Sequence, residues 1–486
     1  MKHLEIIKEL KEKGFLIEKA FVSGNWVDSD DKIKIFNPAN EELIGTIPNL
    51  NADIIIDAVK SADSAQQELK KTSKEFRAEI LKKWFDKLIE NKEDIAKIIT
   101  LEAGKSLRES RAEVDYAAGY LSWFSEEAKK NHDYIIPSND IFKERKVTYL
   151  PVGVTAAITP WNFPLAMITR KAGAAIAAGC SMIIKPSEYT PFSALLMCKL
   201  ALDSGLPKDI LQIVTGYPKE IGEVLLTSFA VRKLSFTGST ATGKMLMRGS
   251  SDSLKKLSME LGGNAPLIIN EDANIETAIT MILNGKFRNN GQSCTAVNRV
   301  LVSDKIFNVL HDELINIVNK IKVGDGFDEE NFLGSVINEA ALVRLLRIIE
   351  NAVKQGAKIA LGGNRIKDKG YFLEPTILTN VHNEMDIARN EIFGPIISLL
   401  KFESEEEAIT IANDTDYGLA GYICGENKER NQKMAERLSF GMIGINDTRL
   451  SDAKIPFGGI KNSGFGREGG IEGIFEYLET KYVAEK

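Results

Sequence analysis

Cysteine is scarce in this 486-residue chain: Cys180, Cys198, Cys294 and Cys424 lie far apart, with no CxxC pair and no Cys/His cluster. That spacing offers neither a disulfide framework nor a zinc site, so no metal is expected. It fits a reducing compartment. No apolar run reaches the roughly 18 residues needed to span a bilayer, so no membrane association is expected. A basic arm or patch is also missing: the formal net charge is −6, with lysines and arginines interspersed among the acids, and nucleic acid is not an expected partner. There is no repeat with a period of roughly 20 to 50 residues and no low-complexity segment. The first residues contain Glu5, Glu9 and Glu12, which a mitochondrial presequence avoids, and they lack the apolar core of a signal peptide. Together these absences point to the cytoplasm.

What is present is ordinary globular composition, 44% hydrophobic and 27% charged, which excludes a disordered or fibrous chain. The length exceeds what one core supports, so two or three domains are expected. Leu4, Ile7 and Leu10 mark a short amphipathic helix. A hairpin is expected around Val22 to Trp26, followed by helices over Ala52 to Lys70, Lys74 to Ile98 and Leu101 to Lys130. Between Tyr134 and Tyr149 the pattern changes to extended pieces broken by Pro137 and Ser138-Asn139-Asp140, an excursion from the first domain that suits pairing with another subunit. The strand-like C-terminus, Phe475 to Val483, is its expected partner.

From Gly153 strands and helices alternate: Val154 to Ile158 then a helix from Phe163, Met182 to Ile184 then Pro191, Leu211 to Val214 then Pro218, and Val231 to Phe236 then Ala241. Strands joined by crossover helices run parallel, which predicts a doubly wound α/β sheet with its ligand beyond the carboxyl ends of the strands. A second α/β region begins near Lys256, with strands expected at Leu267 to Ile269, Val300 to Val302, Ile396 to Leu400 and Gly421 to Ile423.

Several stretches carry candidate chemistry. Cys294 closes the turn Asn290-Gly291-Gln292-Ser293, after a helix expected from Asn274 to about Arg288. A lone cysteine is more often a small buried hydrophobe than a nucleophile. In Phe236 to Gly243 a strand passes through Gly238 and Ser239 into a helix, which suits an anion and equally suits a bare turn. Lys185 and Glu188 follow a strand end, where the carboxylate can accept ribose hydroxyls or the pair can be a solvated loop. Asn162, between Trp161 and Phe163, can donate to an oxyanion or cap the following helix. Glu260 in Met259 to Asn264 is either a carboxylate with raised pKa, fit to be a general base, or an exposed edge residue.

In series, ITPWNFP, KPSE, FTGST, MELGG, GQSC, EIFGP (Glu391 to Pro395) and PFGGIKNSGFGREGG (Pro456 to Gly470) resemble the aldehyde dehydrogenase superfamily over nearly the whole chain. The interval from Glu260 to Cys294 is also that family's spacing between base and nucleophile. The resemblance implies two doubly wound α/β domains and a small β oligomerisation extension. Its boundaries would be 1–126 and 147–257 for NAD binding, 258–448 for catalysis, and 127–146 with 470–486 for the extension. It implies Cys294 as nucleophile, Glu260 as the base for thioester hydrolysis, and Asn162 as an oxyanion donor together with the Cys294 backbone N–H. Relatives that pass the acyl group to coenzyme A typically lack the glutamate of MELGG, so hydrolysis is favoured here.

For the cofactor, the resemblance implies Lys185 and Glu188 at the adenosine ribose and Trp161, Gly238, Ser239 and Gly243 near the pyrophosphate. Glu391 and Phe393 would meet the nicotinamide ribose. Like charge between Glu188 and a 2′-phosphate favours NAD, with NADP the alternative. The segments Met167 to Gly173 and Lys286 to Gln292 and the position of Ser451 are most like those of succinate-semialdehyde dehydrogenases, which implies Arg170, Arg288 and Ser451 as a clamp for the carboxylate of a small acidic aldehyde. For each arginine the competing reading is an internal salt bridge. Two departures matter: Ala296 stands where some members carry a second cysteine, so no disulfide switch is expected, and Arg449 adds a charge near the pocket mouth. The second departure keeps glutarate semialdehyde, a hydroxy aldehyde such as lactaldehyde and a sulfo-aldehyde as alternative substrates. A non-catalytic protein of the same fold is the competing reading from another class, and a homodimer or homotetramer is implied by the family alone.

Overall fold

The structure, a computed structural model, describes residues 2–138 and 141–486. Asn139 and Asp140, expected to break the extended pieces after Pro137, lie outside the described residues. Strands Leu211–Ile213, Met182–Lys185, Val154–Ile158, Val231–Thr237 and Lys256–Glu260 lie side by side in that spatial order, all parallel. Most of their residues are buried on both faces, as expected of parallel strands covered by crossover helices. The chain lays down the first three strands in one direction, then returns to place Val231–Thr237 on the other side of Val154–Ile158. A crevice opens at that reversal, beyond the carboxyl ends. Into it lead Thr159 to Asn162, Gly238 and Ser239, and the residues that follow Glu260.

At one edge the expected hairpin, Ala20–Val22 and Asn25–Val27, extends the sheet. Its turn residues Ser23 and Gly24 both have positive φ (48° and 72°), the geometry that matches the twist of a two-residue hairpin. A second sheet runs in the order Lys358–Leu361, Thr376–Thr379, Ile396–Phe402, Val297–Ser303, Ala265–Ile269, Ala420–Cys424 and Met442–Ile445, parallel except for its first strand. Leu267 and Ile269 enter one core while Ile268 enters the core on the opposite face, as the two-residue period of a strand requires. The first, second and last strands of this order were not expected from the pattern, because short pieces such as Lys-Ile-Ala-Leu alternate too little to stand out.

The N-terminal helix, Lys2–Glu12, buries Ile7 and Leu10 but leaves Leu4 exposed. Burying each of the two contributes about 1.5–3 kcal/mol. Two expected helices are three: Lys74–Glu90, Lys92–Ala103 and Leu107–Glu127. Asn91 ends the first (φ −104°, ψ 18°), Gly104 ends the second in the left-handed region (φ 73°), and Ser106 caps the third by accepting from the Glu109 N–H. The helix expected from Phe163 begins at Ala166. Strand Glu144–Pro151 pairs antiparallel with Leu478–Glu485 along its full length and with Tyr134–Ile136, so the C-terminal strand does join the excursion.

Gly104 and Gly14 separate two costs. Both have positive φ, but a Cβ at Gly104 would stand 2.7 Å from Pro38 and 2.2 Å from the Ser335 hydroxyl, whereas Gly14 has open space. Gly14→Ala should cost about 1 kcal/mol and Gly104→Ala about 2–4 kcal/mol, read as a small and a large fall in the thermal unfolding midpoint.

Candidate active site

The helix Ile275–Phe287, capped by the Asn274 side chain, runs into a reversal at Asn289, Asn290 and Gly291, all left-handed (φ 50°, 56° and 75°). Asparagine is among the few non-glycine residues that tolerate this region. Gly291 admits no side chain, since its Cβ would stand 2.2 Å from the Gly394 carbonyl. Asn290 fixes the turn by donating to the Ser335 carbonyl (2.8 Å) and accepting from the Gly334 N–H (2.8 Å). Asn289 donates to the Asn162 carbonyl at 2.8 Å. The turn therefore presents Cys294 at the crevice of the first sheet, and Gly263 lets it approach, because a Cβ there would meet the Cys294 carbonyl at 2.3 Å.

Cys294, Glu260 and Asn162 line one cavity of about 280 Å³. Glu260 is only 3% exposed, and neither carboxylate oxygen has a hydrogen-bond partner among the described residues. Burial, reinforced by the charge of Glu468, pushes its pKa well above the ordinary carboxylate value, against the opposing pull of Arg170, Lys171 and Arg467. It is no exposed edge residue. Burial likewise raises the half-buried Cys294 thiol to about 12. The Asn162 amide donates one N–H to the Gln292 carbonyl (3.0 Å), and its Oδ1 has no hydrogen-bond partner among the described residues. It does not cap the next helix: Glu113 does, accepting from the Leu165 and Ala166 N–H groups (2.9 and 3.3 Å) while its other oxygen pairs with buried Lys105 (2.6 Å). Lys105 in turn donates to the Asn162 carbonyl at 2.7 Å.

The same cavity is lined by Trp161, Gly238, Ser239, Glu391 and Phe393. Trp161 and Phe393 meet edge to face, centroids 5.5 Å apart. Ser239 caps helix Thr240–Gly249, accepting from the Thr242 N–H at 3.2 Å. Gly243 is a packing glycine, its Cβ position only 2.5 Å from Leu261. Glu391 accepts from the Gly263 N–H (3.0 Å), and burial raises its carboxyl to about 7. Lys185 and Glu188 do not line this cavity. They form an ion pair of 2.8 Å with the lysine 3% exposed, so the solvated-loop reading fails for Lys185. A half-buried carboxylate with accepting capacity, an aromatic pair and the open mouth of a helix-leading glycine turn form a donor and acceptor set that fits a dinucleotide.

A second cavity, of about 480 Å³, holds Arg288, Ser451, Arg108, Tyr116 and Arg449. Arg288 donates to the Ser451 hydroxyl (3.1 Å) and lies over the Phe163 and Tyr116 rings. Arg449, at the exposed rim, pairs with Asp447 (2.8 Å). Arg170 is not among the residues lining either cavity: it is 2% exposed and ion-paired with Glu468 at 2.7 Å, the internal salt bridge of the competing reading. Sequence reasoning gave no role to Glu468, although it lies in the C-terminal motif, nor to Lys105, Glu113, Tyr116 and Arg344. Helical charges such as Arg344 carry no local signal that sets them apart from a solvated face.

A thiol, a buried carboxylate and an amide facing one cleft at the switch point of a doubly wound sheet are the parts of a covalent-catalysis enzyme with a dinucleotide cleft. The chain belongs to the aldehyde dehydrogenase family, whose profile matches residues 26–483. It is 43% identical to the glutarate-semialdehyde dehydrogenase of Pseudomonas putida over 98% of this chain and 99% of that one. It is 41% identical to the NADP(+) succinate-semialdehyde dehydrogenase of Escherichia coli, again over 98% and 99%. The crystal structure of Staphylococcus aureus betaine aldehyde dehydrogenase in complex with NAD+ superposes with a TM-score of 0.96 at 35% identity, covering 99% of this chain and 97% of that one.

A thiol raised to about 12 is protonated throughout neutral pH, so alkylation of Cys294 by iodoacetamide in the ligand-free protein should accelerate about tenfold per pH unit without a plateau below pH ~10. Mass spectrometry of the modified peptide reads the rate, and a plateau near neutrality would contradict the burial effect.

Proposed function

We propose that this protein oxidises an aldehyde bearing a carboxylate at its far end, succinate semialdehyde foremost, to the corresponding acid with NAD or NADP. The observation that carries the substrate class is the Arg288 guanidinium beside the Ser451 hydroxyl on one cavity wall. A planar cation and a hydroxyl clamp a carboxylate by charge-assisted hydrogen bonds. The activities named for the Pseudomonas putida and Escherichia coli relatives support the same class, with glutarate semialdehyde the second candidate.

The Cys294 sulfur attacks the aldehyde carbon. Its proton leaves as the C–S bond forms, and Glu260 is the proton acceptor facing the same cavity. The remaining Asn162 N–H and the Cys294 backbone N–H take up the charge on the carbonyl oxygen. A nicotinamide cofactor, when bound, supplies the hydride acceptor. Trp161, Gly238, Ser239, Glu391 and Phe393 would hold it, with Lys185 and Glu188 toward the adenosine ribose. After releasing its first proton, Glu260 deprotonates the water that attacks the thioester carbon, and the sulfur departs as the acid forms. The negative charge of Glu188 supports NAD over NADP.

The working form is a cytoplasmic homo-oligomer. Four cysteines without disulfides support a reducing compartment, and among the described residues no helix is long and apolar enough to cross a membrane. The sheet of Tyr134–Ile136, Glu144–Pro151 and Leu478–Glu485 leaves Ile135, Tyr482 and Val483 exposed, which supports residues 127–146 and 470–486 as the oligomerisation extension. The first sheet supports 1–126 and 147–257 as the cofactor domain, and the second supports 258–448 as the catalytic one.

Succinate semialdehyde should exceed butanal in kcat/KM, and Arg288→Gln should lower kcat/KM for the acid about 10–100-fold while sparing butanal. Equal values for both aldehydes in the native protein would sink the clamp. Separately, Glu260→Gln should keep a stoichiometric burst of NADH but slow steady turnover by about 10²–10⁴, read by stopped flow.

A further inference from the structure

Lys105 and Glu113 are 1% and 2% exposed, so each charge must find its partners inside the fold. One Lys105 N–H goes to Glu113 Oε2 (2.6 Å) and another to the Asn162 carbonyl (2.7 Å), while the ammonium lies 4.3 Å from the centre of the Phe163 ring. Apart from its counter-ion, this cation is directed at two consecutive residues. Glu113 acts on the same segment, its Oε1 accepting from the Leu165 and Ala166 N–H groups (2.9 and 3.3 Å). Residues 159–165, between strand Val154–Ile158 and helix Ala166–Ala178, carry no regular structure of their own, so side-chain bonds of this kind set their path.

The seat of Lys105 is itself fixed. A Cβ on Gly326 would stand 2.3 Å from the Lys105 carbonyl and one on Gly334 3.2 Å from its Cα, so two backbone segments lie against it. Gly334 also donates its N–H to the Asn290 side chain (2.8 Å), in the turn that leads to Cys294. One seat holds both the cation and the turn of the nucleophile.

Asn162 depends on such a hold. Its amide donates one N–H to the Gln292 carbonyl (3.0 Å) and its Oδ1 has no hydrogen-bond partner among the described residues, so the side chain is tied at a single point. The direction of its second N–H is therefore set by the backbone. That backbone is gripped at its carbonyl, which accepts from Lys105 and from Asn289 (2.7 and 2.8 Å). An oxyanion donor acts within about 2.7–3.1 Å of the oxygen, and a displacement of about 1 Å can lower a rate about 100-fold.

We infer that Lys105 is a positioning residue for the oxyanion donor: its ammonium fixes the Asn162 backbone so that the free amide N–H meets the oxygen of the reacting carbonyl. Lys105 is not among the residues lining either cavity, so it acts through Asn162 and not on the aldehyde. The inference rests on the reading of Asn162 as oxyanion donor.

The test is the NADH burst in stopped flow at saturating aldehyde and cofactor, where the amplitude counts active sites and the rate constant reports the steps up to hydride transfer. Lys105→Met should lower that rate constant about 10–100-fold, with KM little changed and the same loss for succinate semialdehyde and butanal. In an Asn162→Ala background, where the donor is already gone, the same change should slow the burst no further. A native rate constant with only the amplitude or the unfolding midpoint lowered makes Lys105 a purely structural residue and overturns the inference. A loss confined to succinate semialdehyde places its effect on the Arg288 clamp, and an equal loss in the Asn162→Ala background places it elsewhere; either result also overturns it. Should Lys105→Met fail to fold with Glu113 stranded, Lys105→Met combined with Glu113→Gln removes both charges while the glutamine carbonyl still accepts from Leu165 and Ala166. The same fall is expected there, and a native rate constant refutes the positioning role. Asn162→Ala by itself separates the two readings: a native burst rate in that variant removes the oxyanion donor and the inference with it, whereas a slow burst there beside an unchanged Lys105→Met removes the positioning alone.

Discussion

The reversal of the chain at Asn289, Asn290 and Gly291 is the constraint on which the active cleft depends. Three successive left-handed residues are costly for an L-polypeptide, and they persist only where surrounding contacts over-determine them. Here the Asn290 amide is tied to Ser335 and Gly334, Asn289 to Asn162, and Gly291 lies against the Gly394 carbonyl. The outcome is that a helix feeding the second sheet delivers its cysteine to the crevice of the first. Asn162 follows a strand of one sheet and Cys294 precedes a strand of the other, and the Asn289 amide bridges the two loops by donating to the Asn162 and Gln292 carbonyls.

A second layer of order comes from how buried charge is treated. Lys105 and Glu113 are almost fully buried, satisfy each other, and also hold the Asn162 carbonyl and the start of helix Ala166–Ala178. Removing one partner of such a pair typically costs about 3–5 kcal/mol, because the other charge is stranded. Arg170, Lys171 and Glu468 form a second buried charged group. Against that background the lack of partners on Glu260 stands out. Groups held in low dielectric without compensation have shifted proton affinities, and they collect where chemistry is done.

Much of the fold was legible because it rests on local pattern. The alternation from Val154 to Gly249, the hairpin at Ser23-Gly24 and the strand at the C-terminus are short-range signals, and each is found. Helix limits at Asn91 and Gly104 were not legible, since helical periodicity continues across both; at Gly104 the backbone lies close against Pro38 and Ser335. Of the candidate residues, Cys294, Glu260 and Asn162 could be named from motif order, and they do share a cavity. Arg170 could be named as well, but its place could not be read, because Glu468 is remote from it in sequence.

By itself the sequence determined which residue types occur, in what order, and which segments alternate as strand and helix, since those follow from side-chain chemistry and near-neighbour sterics. Only the tertiary structure decided that Arg288 meets Ser451, that Arg170 meets Glu468, and that Glu260 stands without a hydrogen-bond partner among the described residues. Each of these depends on burial and on contacts between residues far apart in the chain. The dielectric and the partner that set a charge's behaviour are properties of the folded interior, not of its neighbours in sequence.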